Sequence, residues 1–115
     1  MSRYDVIIIG AGPGGIFAAY ELAKKAPELK VAVFEAGNSL EKRKCPIDGK
    51  KIKSCINCKT CAIMSGFGGA GAFSDGKYNI TNDFGGTLYE YIGKDTAIDL
   101  MKYVDEINLA YGGEG

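Results

Sequence analysis

Tyr4-Asp5-Val6-Ile7-Ile8-Ile9-Gly10-Ala11-Gly12-Pro13-Gly14-Gly15-Ile16 is the stretch whose reading decides the fold of this 115-residue chain. A run of β-branched residues without polar alternation is the pattern of a strand covered on both faces in a parallel sheet. Gly10 to Gly15 breaks the run. A helix then follows, with Ile16, Ala19, Tyr20 and Ala23 on one stripe, Lys24 and Lys25 in the last turn and Pro27 as the stop. Val31-Ala32-Val33-Phe34-Glu35 reads as a second strand, ended by Ala36-Gly37. The fold class expected is α/β, with residues 1–37 as a Rossmann-like βαβ unit.

Gly10, Gly12 and Gly15 satisfy G-x-G-x-x-G after a strand and at the opening of a helix, and Glu35 follows Gly15 by 20 residues at the end of the next strand. Each position has a physical role in holding a dinucleotide. Gly10 permits the tight turn, Gly12 lets the backbone approach a pyrophosphate, and Gly15 lets the helix pack closely on the strand. The amides around Pro13 and Gly14 at the helix start face the anion, aided by the helix dipole. Glu35 can accept from both ribose hydroxyls of an adenosine, and its charge disfavours a 2′-phosphate.

Beyond this unit the chain changes character. Residues 38–82 show no sustained period and read as a long irregular insert rich in glycine and cysteine. The whole chain carries 17 glycines, about twice the usual share of roughly 7%. Basic and acidic residues number 14 each, yet Lys42 to Lys59 holds seven basic residues and one acid, Asp48. The neutral total therefore conceals a basic insert between acidic flanks. Residues 83–115 read as a helical segment, with Asp95 as its cap, Ala97, Leu100, Met101, Val104 and Ile107 as its stripe on the sheet, and Gly112-Gly113 as its stop.

All four cysteines lie in the insert. Cys55-x-x-Cys58-x-x-Cys61, with Cys45-Pro46 upstream, has the tight repeat that wraps an iron-sulfur cluster, although the fourth cysteine precedes the triplet. A four-thiolate zinc site is a second reading, although zinc more often uses two separated C-x-x-C knuckles. A redox dithiol and four inert thiols are the remaining readings. A four-thiolate centre carries negative charge, which the basic surroundings would offset.

Composition also excludes functions. Histidine is absent, so the chain supplies no Ser-His or Cys-His base pair and no histidine-ligated metal. Zero net charge removes the broad attraction that nucleic acid or an anionic membrane needs, so neither is an expected partner. Val6 to Ile9 is far shorter than the roughly 20 apolar residues of a membrane span, and a cytoplasmic location is expected.

Asp5 through Ile16, continuing in Ala18-Ala19-Tyr20-Glu21-Leu22-Ala23, resembles the N-terminal ADP-binding motif of the glutathione-reductase-like flavoproteins. Ser65-Gly66-Phe67-Gly68-Gly69-Ala70-Gly71-Ala72-Phe73-Ser74-Asp75-Gly76-Lys77, behind the cysteines, is similar to a narrower group, the mostly uncharacterised prokaryotic FAD-dependent dehydrogenases. The resemblance implies FAD, with NAD(P)H as an available electron donor and an unidentified small-molecule substrate. It implies that Glu35 and Ala36 hold the adenosine, that Arg43 lies against the FAD phosphates or adenine, and that Gly69, Ala70 and Gly71 pass beside the pyrophosphate or isoalloxazine. Asp75 and Lys77 are within its reach of the flavin. Further strands and a late ribityl-contacting segment are also implied, and Tyr111-Gly112-Gly113-Glu114-Gly115 reads as an interruption. The expectation is an N-terminal fragment that binds FAD weakly without the C-terminal part of the same protein. A small iron-sulfur or zinc module with an incidental nucleotide site, or an inactive fragment, is the alternative.

Overall fold

The computed structural model describes residues 3–83 and 85–113. Strand β1 (Val6–Ile9), helix α1 (Pro13–Lys25) and strand β2 (Val31–Phe34) follow in order, and the strands pair in parallel with Val6 opposite Val31 and Ile9 opposite Phe34. This is a partial Rossmann-like α/β unit. The ends of the ladder fix its register. At the start, Asp5 N donates to Lys30 O at 2.9 Å, and the Asp5 carboxylate accepts from Lys30 N at 2.8 Å. At the other end, Gly10 N donates to Phe34 O at 2.7 Å. A one-residue slip would invert every side chain, so these bonds also decide which face each strand presents.

Helix α1 starts where its sequence dictates. Gly12 is the N-cap and Pro13 takes the first helical position, where a missing N–H costs nothing. Lys24 and Lys25 sit at the negative end of the helix dipole, Glu21 pairs with Lys25 at 3.0 Å, and Ala26 N donates to Leu22 O before Pro27. Of the expected stripe, Ile16, Ala19 and Tyr20 are half-buried, while Ala23 is exposed because the helix has passed the end of the four-residue strands.

Among the described residues β1 is covered on one face only. Its burial alternates: Val6 and Ile8 are half-buried, whereas Ile7 is 57% and Ile9 81% exposed. The register puts Phe34, 52% exposed, beside Ile9. A continuous apolar run satisfies a doubly covered strand, but among the described residues only one face has a helix on it. An apolar strip of this kind binds hydrophobic dyes and promotes association. Ile9→Thr keeps β-branching and removes no buried contact, so in the 115-residue chain it should lower dye fluorescence while shifting stability by no more than about 0.5 kcal/mol. Dye titration beside a thermal melt checks both.

Residues 38–82 are irregular, as expected, with only short 3₁₀ turns at Leu40–Lys42 and Gly69–Gly71. The chain divides into two compact units between Phe73 and Ser74, inside this insert. In the second unit, α2 (Leu88–Ile92), which the sequence reading does not anticipate, packs on α3 (Lys94–Ala110). The cap of α3 is Gly93, not Asp95. Gly93 has φ 86°, which turns the chain sharply between the two helices, and its carbonyl accepts from Ala97 N. Asp95 falls in the first turn, where its charge favours the dipole. Ala97 is buried, but Leu100 is 49% exposed and leaves the stripe. Gly112 has φ 101° and Gly113 N donates to Asn108 O at 2.8 Å, so the helix stops there as expected. Glu114 and Gly115 lie outside the described residues. Among those described, no helix is long and apolar enough to cross a membrane.

Candidate functional site

The site is built where β1, α1 and β2 meet. Gly10 turns the chain out of β1 at φ 101°, a conformation that disfavours any side chain. Ala11, which follows, is buried. Its N–H donates to Glu35 Oε1 at 2.9 Å, and Gly37 N donates to Oε2 at 2.8 Å. One carboxylate thus ties the glycine turn to the end of β2. Helix α1 begins at Pro13 with no acid in its first turn, so the Gly14 and Gly15 amides and the positive end of the dipole stay available to an anion.

The three fingerprint glycines separate by physical cause. A Cβ on Gly15 would collide with the Gly10 carbonyl oxygen and stand 3.2 Å from Ile8 Cγ2, so the packing of α1 on β1 itself demands glycine there. Gly12 is different. Its φ of −81° and ψ of −174° suit any residue, and a Cβ would meet only Gly69 Cα at 3.9 Å, an ordinary contact. A Cβ on Gly14 would meet nothing within 4 Å. The fold of the chain does not require Gly12 or Gly14 to lack side chains, whereas a ligand lying on the loop backbone does.

The second glycine cluster packs onto this turn. Gly68 N donates to Ala11 O at 2.7 Å and Phe67 N to Asn38 O at 3.0 Å. Gly69 has φ 67°, and a Cβ there would come within 3.0 Å of Gly12 Cα and 3.1 Å of Pro13 Cδ. Ala70 and Gly71 are exposed beyond it, and a Cβ on Gly71 would meet nothing within 4 Å. Gly71→Val should therefore leave the ligand-free fold intact, and comparing its flavin retention with its melting temperature tests whether this turn meets a ligand.

The close approach of Gly37 to Gly66 escapes sequence reading: a Cβ on Gly37 would run into the Gly66 backbone. The glycine two places after Glu35 was the available signal, but in sequence it reads only as a strand stop.

Arg43 is the buried charged residue here, with 6% exposure. Its guanidinium donates to Ala62 O, Phe67 O, Gly69 O and Ile63 O at 2.7 to 2.9 Å, and lies 5.0 Å from the centre of the Phe73 ring. Ala36 is exposed at the end of β2. Asp75 and Lys77, in the second unit, pair with each other at the surface at 3.9 Å.

The Glu35 carboxyl is held below its ordinary range, first by the Ala11 amide, then by the Gly37 amide, with Arg43 adding attraction and partial desolvation opposing. A depressed carboxylate stabilises the fold above its unfolded pKa, and that contribution is lost as pH falls through the folded value. Stability from this tie should hold from neutral pH down to roughly 4.3 and decline only in more acid solution. Glu35→Gln should remove this acid limb, which melting curves of the two proteins across pH 2–7 would reveal as a converging difference.

The cysteines are not assembled. Cys45 is half-buried, Cys55, Cys58 and Cys61 are exposed, and all four are free thiols. Among the described residues no three cysteine, histidine or acidic side chains are grouped to hold a metal ion. The triplet lies exposed, with Cys55 Sγ turned to Asn57. The arrangement does not fit an iron-sulfur cluster or zinc.

Residues 1–41 match the Thi4 family. A thiamine thiazole synthase of Yarrowia lipolytica is 64% identical over 33 residues, which is 29% of this chain and 10% of that protein. One from Candida albicans is 54% identical over 35 residues, 30% of this chain and 10% of its own length. An uncharacterized protein of Clostridium beijerinckii is 39% identical over 71 residues, covering 62% of this chain and 13% of that protein. The matches thus span about a tenth of the curated relatives' length. No solved structure matches.

Proposed function

We propose that this chain is the N-terminal FAD-binding portion of a flavin-dependent oxidoreductase of the dehydrogenase type. The observation that carries the reading is Gly12: it opens α1 with no conformational or packing need for glycine, at the spot where a pyrophosphate would touch the backbone. The Gly14 and Gly15 amides would hold the phosphates. Glu35, already fixed by two amides, keeps lone pairs for the ribose hydroxyls. Gly69 to Gly71 would border the pyrophosphate or the flavin. Bound flavin supplies the hydride or electron transfer, and the chain's own residues bind and orient it.

Likeness to thiamine thiazole synthases supports a nucleotide-binding enzyme but not their reaction, because the family match is confined to residues 1–41 and the match to the Yarrowia protein is 33 residues long. The clostridial match is longer, 71 residues, but is to an uncharacterized protein and does not narrow the dehydrogenase reading. The reading as a small metal module has no gathered ligand set behind it.

The test is anaerobic purification of the longest natural form carrying this sequence, with flavin, iron and zinc measured on one sample. Equimolar FAD is expected. Absence of flavin with equimolar iron or zinc would replace this reading with the metal module. The 115 residues alone should retain FAD weakly or not at all.

A further inference from the structure

We propose that Arg43 is a positioning residue of the FAD site, a clamp that sets the second glycine cluster against the nucleotide loop, in place of the phosphate ligand that its basic sequence neighbourhood suggests. The inference rests on the FAD reading above.

Arginine has five N–H donors. Four of them, from Nε, both on Nη1 and one on Nη2, already reach the carbonyls of Ala62, Phe67, Gly69 and Ile63. That leaves one N–H for anything else, and the side chain is 94% buried by its 6% exposure. A phosphate ligand presents its fork to the ligand; here the fork points into the loop. The geometry around it is closed from the other side as well. A Cβ on Gly66 would collide with Arg43 Cδ and Nε, so the backbone lies directly on the side chain.

The clamped carbonyls bracket the amides that matter. Arg43 holds Phe67 O and Gly69 O, and the intervening Gly68 N donates to Ala11 O while Phe67 N donates to Asn38 O. Gly69 in turn rests against Gly12 and Pro13. Removing the guanidinium would take this donor from the carbonyls of Ala62, Ile63 and Phe67, leave Gly69 O with the Ala72 amide at 3.4 Å, and free the segment that borders Gly12. Lysine cannot substitute, because an ammonium carries the charge but not a planar fork that spans four acceptors.

The experiment compares FAD binding by the wild-type longest natural form with Arg43→Lys and Arg43→Met. Both variants should bind FAD about tenfold or more weakly, equivalent to roughly 1.4 kcal/mol, and the residual bound flavin should show an altered visible spectrum. A merely charge-dependent contact would be restored by lysine, so Arg43→Lys binding within a small factor of wild type overturns the proposal. Hydrogen exchange on wild type needs no variant and no ligand. The Phe67 and Gly68 amides should be protected before FAD is added, and free exchange until FAD arrives would show that the ligand, not Arg43, orders the loop. Failure of wild type to bind FAD would instead strike the FAD reading, while Phe67 and Gly68 amides protected in wild type and freely exchanging in Arg43→Met would still establish the clamp.

Discussion

Gly12→Ala is expected to leave the fold standing and to remove most of the nucleotide affinity. The backbone at Gly12 already has angles that alanine adopts freely, and the added methyl has space around it. Restricting the unfolded chain favours alanine by roughly 0.4–1 kcal/mol, while alanine is a poorer N-cap than glycine by a comparable amount. The two offset, so the melting temperature without ligand should barely move. With ligand the balance changes. A methyl forced between the loop and a pyrophosphate costs about 1–3 kcal/mol, or roughly five- to 150-fold in affinity. Calorimetry with FAD, set beside a thermal melt, reads both halves. A variant that binds FAD as tightly as wild type would remove the observation on which the functional reading stands.

Gly15→Ala should do the opposite. The added Cβ meets the Gly10 carbonyl and Ile8 Cγ2, both belonging to the β1 end and its turn, and neither can swing away as a flexible side chain could. Overpacking of this kind costs about 1–3 kcal/mol and occasionally more. The βαβ unit has little reserve, because Ala11 is its one fully buried apolar residue among those described. A melting temperature lower by about 4–8 °C for each kcal/mol lost is the expected signature, with poor soluble yield at the severe end. An unchanged melt would mean that α1 does not approach β1 as closely as described. Two glycines three residues apart in one motif thus serve separate ends, ligand access and helix packing.

How much of this was legible beforehand follows from how local each cause is. β1, α1 and β2 are set by neighbours in sequence: β-branched runs, Pro13 after Gly12, the lysines before Pro27. They appear where the pattern puts them. The bare face of β1 was not legible, because Ile7 and Ile9 read the same whether or not something lies against them. Arg43 was legible as a basic residue in a basic run, and its true partners, carbonyls 19 to 26 residues away, have no signature in composition. The cysteine spacing suggested a common centre, but spacing alone does not bend a chain, and the triplet lies exposed. Asp95 illustrates a smaller competition, in which the positive φ available to Gly93 decided the start of α3 two residues earlier than side-chain capping would.

The most direct measurement of the central claim is a crystal structure of the longest natural form with FAD bound. The account predicts the pyrophosphate against the Gly12 to Gly15 backbone, with amide nitrogens about 3 Å from its oxygens, and the adenosine ribose on the Glu35 carboxylate. FAD seated elsewhere, or a ribose turned away from Glu35 with the glycine loop empty, would contradict it.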